Sequence, residues 1–359
     1  MAEQFIPAAY EWHWSSLAGS VQGVLRQFGL PHASFWVGGV LGESFRVGMP
    51  VVGGGEAFEA SGYVRRSLVD LEAALGTLGI RATVHERDLS RTRRPMLFER
   101  RLRASLGTGH PVVAYGAGYA PGPSGAAGPG VAGSRPPNDR PPRERLPDDG
   151  PLGAGASRRE FGLLVGYDDA RESYRITGPL TEQVGPWLPY AELGRDRARP
   201  GWLAVAMTAR AKPHPQRAAA QARDAALAAG SPEAMAAWIA LLSGDSPINA
   251  PGHALRAQGL AAARAEAAQF WSLIAEGAPD LEVVAQAYRR MALALSRLAT
   301  LFPYPAGGDV QSAGSRSAGA AALRKALDAE SEALDRLAAS AIPRDVPVRP
   351  GERSRGRDA

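Results

Sequence analysis

Two adjacent serines, Ser15 and Ser16, stand where a helix should begin. Trp14, Leu17, Ala18, Val21, Val24, Leu25 and Phe28 recur at helical spacing to make one apolar face, and Gly29 ends the pattern. A helix head carries backbone N–H groups without intrahelical partners and the positive end of the helix dipole. That environment stabilises an anion on a side chain, as a thiolate nucleophile requires. The chain has no cysteine, which removes disulfides, thiolate metal sites and thiol catalysis at once. The helix head therefore reads as a place built to present a nucleophile, from which the nucleophile has gone.

His13 lies three residues before Ser16. It is placed either to contact Ser16 or, the reading favoured for an aromatic-flanked histidine, to pack against the helix start. His110, just before an expected strand, reads as a turn residue, and His32, His85, His214 and His253 show no ligand spacing. No metal or cofactor is expected. Asp168-Asp169 looks like a metal pair but is more simply a hairpin connection with an Asx turn. Gly53-Gly54-Gly55 lacks the Lys-Ser/Thr of a phosphate loop and is a weak nucleotide signal. Arginines 91, 93, 94, 100, 101 and 103 form either a solvated helix face, which we favour, or a patch for an acidic partner.

The elements that must position these residues follow from periodicity. Leu30 to Gly48 reads as a short helix or turn followed by a strand beginning near Phe45, because glycines interrupt the pattern. Ser67 to Gly79 and Phe98 to Leu106 read as helices, and Ile80 to Val84 and Pro111 to Tyr115 as short strands. Gly116 to Arg158 is low in complexity with almost no large apolar residue, so an insert at about 117–158 is expected to be disordered. Phe161 to Tyr167 is a strand, Tyr174 to Thr177 its hairpin partner, Trp187 to Leu193 a short helix or turn, and Trp202 to Met207 a closing strand. Helices first, then an antiparallel run, predict an α+β domain over 1–212.

Composition changes after residue 212. Gln216 to Ser340 predicts four or five helices, an all-α helical bundle over 213–341 that is packed on the first domain or attached to it. Ser231-Pro232-Glu233 reads as a helix start, with serine as cap. Leu255, Leu260, Ala263, Ala267, Phe270, Trp271 and Ile274 mark one buried face, and Val283, Val284, Ala287, Met291, Leu295 and Leu298 another. The tail over 342–359 reads as frayed.

The chain has 359 residues, 45% of them hydrophobic and 21% charged, with a net charge of +5. No basic, apolar leader opens it, and no uninterrupted apolar segment looks long enough to span a membrane, so a cytoplasmic location is expected. The charge is carried mostly by arginine without zinc-finger spacing or aromatic-rich basic strands, which makes nucleic acid an unlikely partner.

The first two hundred residues resemble the papain-like superfamily in its bacterial branch, the family-C39-type peptidases and the butirosin biosynthesis protein H N-terminal family. The resemblance rests on the Ser16-to-Gly29 helix, on Gly166-Tyr167-Asp168 after Leu163-Leu164-Val165, and on the segments Gly38 to Arg46 and Gly109 to Val113. Trp238 and the Arg264 to Trp271 helix resemble the helical extension of some members. It implies a papain-like (cysteine-protease-type) domain with helices packed on a small antiparallel sheet. It puts the nucleophile at Ser16, the histidine at Glu160 and the orienting residue at Gly178. A shift of one residue would bring in Ser15 or Arg159 and restores no triad. Serine needs a stronger base than cysteine does, a lone carboxylate is a poor one near neutrality, and glycine has nothing with which to orient an imidazole.

The expectation is an inactive papain-like binding or interaction module. Its remnant cleft would be lined by Trp14, Ser15, Ser16, Glu160, Phe161 and Gly178, taking a peptide, an acyl group or a small molecule. Two alternatives stand beside it: a serine-dependent acyltransferase or hydrolase using Ser16, and a partner-docking protein acting through the helical bundle.

Overall fold

The computed structural model describes residues 4–30, 32–47, 68–88, 95–115, 161–179, 187–190, 193, 201–229, 231–276 and 278–343. The fold is α+β: helices pack on an antiparallel sheet, and the chain ends in a run of helices. Helix α1 (Ser16–Gln27) starts and stops as the sequence dictates. Ser15 caps it, and Gly29 beyond its end holds the left-handed φ of +66°, a conformation that costs other residues a steric clash. Helix α2 (Ser34–Val40) follows, then a 3₁₀ turn at Glu43–Phe45.

The described strands are β1 (Gln4–Phe5), β2 (Ile80–Asp88), β3 (Val112–Tyr115), β4 (Phe161–Asp168), β5 (Ser173–Thr177), β6 (Trp187–Pro189) and β7 (Gly201–Arg210). They form one sheet in the order β2-β7-β3-β4-β5-β6, with β1 paired to the later half of β4. Leu163 faces Val113 on one side and Thr177 on the other, so β4 is the central strand. Its buried run of six residues fits a strand covered on both faces. Helix α1 covers β4 and β3, α3 (Leu68–Thr77) lies on β2, and α4 (Pro95–Gly107) packs against β3, β4 and β7.

Five helices follow: α5 (Pro215–Leu227), α6 (Ser231–Ser243), α7 (Ala250–Ile274), α8 (Pro279–Leu301) and α9 (Ala313–Ala339). Helix α8 packs between α7 and α9, and α7 also packs onto α2 and the 3₁₀ turn. One hydrophobic cluster runs without a break from the sheet through α1 and α2 into these helices.

Four expectations change. Phe45 closes the 3₁₀ turn instead of opening a strand, because its buried ring packs among Phe270, Trp271 and Tyr288 at 5.9–6.2 Å. Trp187–Pro189 is a strand, not a helix or turn, held in register by Ser173, Tyr174 and Arg175 of β5. Ser231 begins α6, but its hydroxyl donates to the Phe45 carbonyl and accepts from Arg264. Pro215–Ser243 does contain an apolar window of membrane-spanning length, with mean hydropathy 1.4, yet it comprises two helices, α5 and α6. The expected disorder over 117–158, the Gly53-Gly54-Gly55 stretch and the frayed tail beyond Pro343 lie outside the described residues.

Candidate functional site

The head of α1 meets the start of β4. The Phe161 backbone N–H donates to Ser16 Oγ at 3.0 Å, across 145 residues of sequence, and both residues are buried. Gly178 is also buried and follows Thr177, the partner of Leu163, so it lies at the same end of the sheet as Phe161. Thr177 Oγ1 accepts the Tyr10 N–H, tying the approach to α1 against β5. Ser16, Phe161 and Gly178 thus come from three elements that share one end of the sheet. Glu160, and with it Arg159, lies outside the described residues.

Ser15 is fully engaged as a cap. Its Oγ accepts from the Ala18 N–H at 3.4 Å and donates to Glu43 Oε2 at 2.9 Å. Its own N–H donates to His13 Nδ1 at 2.9 Å. An imidazole nitrogen that accepts a backbone N–H carries no proton itself, so the proton of neutral His13 sits on Nε2. Nε2 in turn stands 3.0 Å from Glu266 Oε1, somewhat out of line for a full hydrogen bond. Nδ1 is thus taken by a backbone N–H and Nε2 faces the Glu266 carboxylate, so neither ring nitrogen is turned to a serine hydroxyl. The packed role expected for His13 holds, with the added contact to Glu266.

Glu266 belongs to α7, and its carboxylate lies among groups from the first part of the chain. Trp14 Nε1 donates to Oε2 at 2.8 Å and Ser44 Oγ approaches the same oxygen at 3.5 Å, while Ser34 Oγ donates to Oε1 at 2.9 Å. The Glu266 side chain keeps 13% of its surface exposed. Gly38 makes this approach possible, since a Cβ there would stand 2.7 Å from Glu266 Oε2 and 2.8 Å from Ser44 Oγ. On the next residue, a Cβ at Gly39 would collide with the ring of Phe270.

One turn fraction away on α7, Arg264 is fully buried. Its guanidinium donates to the carbonyls of Ser44, Phe45 and Arg46 at 2.7–3.2 Å, to Ser231 Oγ, and to both carboxylate oxygens of Glu330. Burial pushes the Glu330 carboxyl up, opposed by Arg264.

The other sequence candidates resolve into local structure. Asp168 Oδ1 accepts the Ala170 and Arg171 N–H groups, the Asx turn expected. Asp169 accepts from Arg103 and from Tyr190, and Arg103 holds its carboxyl below the usual range. Arg100 and Arg101 are solvent-exposed, whereas Arg91, Arg93 and Arg94 lie outside the described residues. His32 Nε2 sits 3.1 Å from the Leu78 carbonyl, and burial lowers its pKa. No group of three or more metal-binding side chains occurs among the described residues.

Sequence reasoning missed Glu43, Ser34, Ser44 and Glu266. The available signal was the Gly38-Gly39 pair inside a helix, where paired glycines indicate that something packs closely. In comparisons with known proteins, no family model matches the chain and no curated protein aligns with it. What the fold and site define is therefore a class by geometry: an α+β protein whose first helix opens onto a sheet end and is met there by a carboxylate from its own helical region.

Proposed function

We propose that this protein is a catalytically inactive papain-like module, of the C39 and butirosin H type, that binds a ligand at the head of α1 beneath its helical region. The observation that carries the reading is the 3.0 Å contact between Ser16 Oγ and the Phe161 N–H. It brings the position expected for a nucleophile beside the strand whose first residue follows the position expected for the histidine. A scaffold of the resembled kind needs that convergence, and serine there has lost the thiolate chemistry that the helix head favours.

Inactivity rests on the bases at hand. His13 uses Nδ1 on a backbone N–H and Nε2 beside Glu266, so it has no lone pair with which to take a proton from a hydroxyl. Gly178 offers no side chain to orient an imidazole. Ser15 does donate to a carboxylate, Glu43, but the residue is only 4% exposed and its hydroxyl serves as the helix cap. Incubation with a fluorophosphonate probe, read by intact mass, tests this. No adduct is the expected result, and an adduct on Ser16 would transfer the site to the serine-hydrolase or acyltransferase reading.

A further inference from the structure

The seat of Glu266 has the complementarity of a ligand site, and its parts divide between two stretches of chain. The donors come from residues 14–44, and the acceptor comes from α7, 222–252 residues away. We propose that this cluster is a carboxylate-recognition site in which Glu266 is a tethered occupant, standing where a carboxylate-bearing ligand binds. The proposal deepens the reading of the helix head as a binding pocket, and rests on it, by naming the chemical class of ligand.

The match is specific to a planar, singly charged fork of two equivalent oxygens. Three side chains donate to Glu266, Ser34 Oγ at Oε1 and Trp14 Nε1 and Ser44 Oγ at Oε2, and His13 Nε2 stands 3.0 Å from Oε1 without the alignment of a full hydrogen bond. A carboxylate has two lone pairs on each oxygen and no hydrogen to offer, so it can serve the three donors and the His13 N–H that faces it. A carboxamide is not accommodated. With its NH2 toward Trp14 it meets an indole N–H that only donates. Turned over, it meets His13 Nε2, whose proton is fixed there because Nδ1 accepts the Ser15 N–H. Among the described residues no lysine or arginine pairs with Glu266, so selection rests on hydrogen-bond geometry and not on net charge.

The seat is also shaped. The missing side chain of Gly38 leaves the space that Oε2 fills. His13 is fixed at Nδ1, and Trp14 stacks at a tilt of 39° with ring centroids 5.4 Å apart from the imidazole. Partial exposure of Glu266 gives a free carboxylate a route in once that side chain is removed.

The test uses the full chain carrying Glu266→Ala. Its melting temperature should fall by roughly 5 °C, because three donors and the facing His13 ring lose their common neighbour. Formate and acetate should then restore at least half of the loss with saturable dependence on concentration, while chloride and acetamide at equal concentration do not. Adding Trp14→Phe to the Ala variant should abolish that specific rescue. Rescue by formate and acetate no greater than by chloride and acetamide overturns the proposal. If Glu266→Ala does not fold, Glu266→Gln decides: a clearly lowered melting temperature supports a carboxylate seat, and a Gln variant melting with the parent contradicts it. The fluorophosphonate experiment is independent of this one, since absence of labelling together with absence of rescue would retain the inactive module and reject the carboxylate ligand.

Discussion

Glu266 and Arg264 stand two residues apart on α7 and join the same two parts of the chain in different ways. Arg264 is fully buried and spends its donors on the backbone carbonyls of residues 44–46 and on Glu330. Glu266 is partly exposed and receives side-chain donors from three residues, with the His13 ring beside them. Backbone carbonyls cannot be varied without moving the chain, so the Arg264 contact fixes where α7 sits. Side-chain donors are free to answer to a different acceptor. The first contact is an anchor, and the second has the make-up of a site.

The largest effect should come from breaking the anchor. Arg264→Met leaves Glu330 buried without its cation and three carbonyls short of a donor, at an expected cost of about 3–5 kcal/mol in chemical denaturation. The double variant Arg264→Met with Glu330→Met should recover part of that loss, because no charge is then left buried alone. Equal losses in the single and double variants would show that the carbonyl contacts, not the ion pair, do the anchoring.

A pH titration sharpens the comparison by loading the helical side through His253, with His32 in the first part of the chain shifted in the same direction. His253 is buried and accepts the Trp238 indole N–H at Nδ1. Burial, assisted by Arg316, lowers its pKa from the ordinary 6.5 to about 4. The unfolded chain therefore binds the proton first as pH falls. The stabilising effect of keeping His253 neutral is whole above about pH 6.5 and is lost progressively toward pH 4, amounting to about 3 kcal/mol. Denaturation midpoints at pH 7, 5.5 and 4.5 should fall in that order, and His253→Gln should flatten the dependence over this window.

Gly38→Ala probes the seat sterically. The added methyl would fall on the Glu266 carboxylate and Ser44, so stability should drop by roughly 1–3 kcal/mol. Combining it with Glu266→Ala should cost less than the sum of the two, since the second change vacates the space the first one fills. The smallest effect is expected at Arg103→Ala, which opens the half-exposed pair with Asp169. A surface pair of this kind contributes about 0–1 kcal/mol, and thermal melting should barely register the change.

These contrasts bear on how much the sequence discloses. Helix α1 was legible because its signals are local: a serine cap, an apolar stripe and a terminal glycine with positive φ. The hairpin of β4 and β5 was legible for the same reason, its turn closed by Asp168 on its own neighbours. Phe45 was misread because what fixes it is remote, a cage of Phe270, Trp271 and Tyr288. Trp187–Pro189 was misread because three residues carry no period of their own, and only pairing with β5 makes them a strand. Glu266 was invisible as one glutamate in an alanine-rich helix, since nothing near it in sequence marks it as a partner of Trp14 and Ser34.

The central claim is that position 16, at the head of α1, and position 160, just ahead of β4, share a groove from which the thiol and imidazole have been lost. Putting both groups back tests it most directly. Thiol pKa, followed by the pH dependence of alkylation with iodoacetamide, should be measured in Ser16→Cys and in Ser16→Cys with Glu160→His. A thiol pKa lower by about one unit or more in the double variant is the result predicted, because an imidazolium beside a thiolate stabilises it. Identical pKa values in the two variants would contradict the account, placing residue 160 away from the helix head.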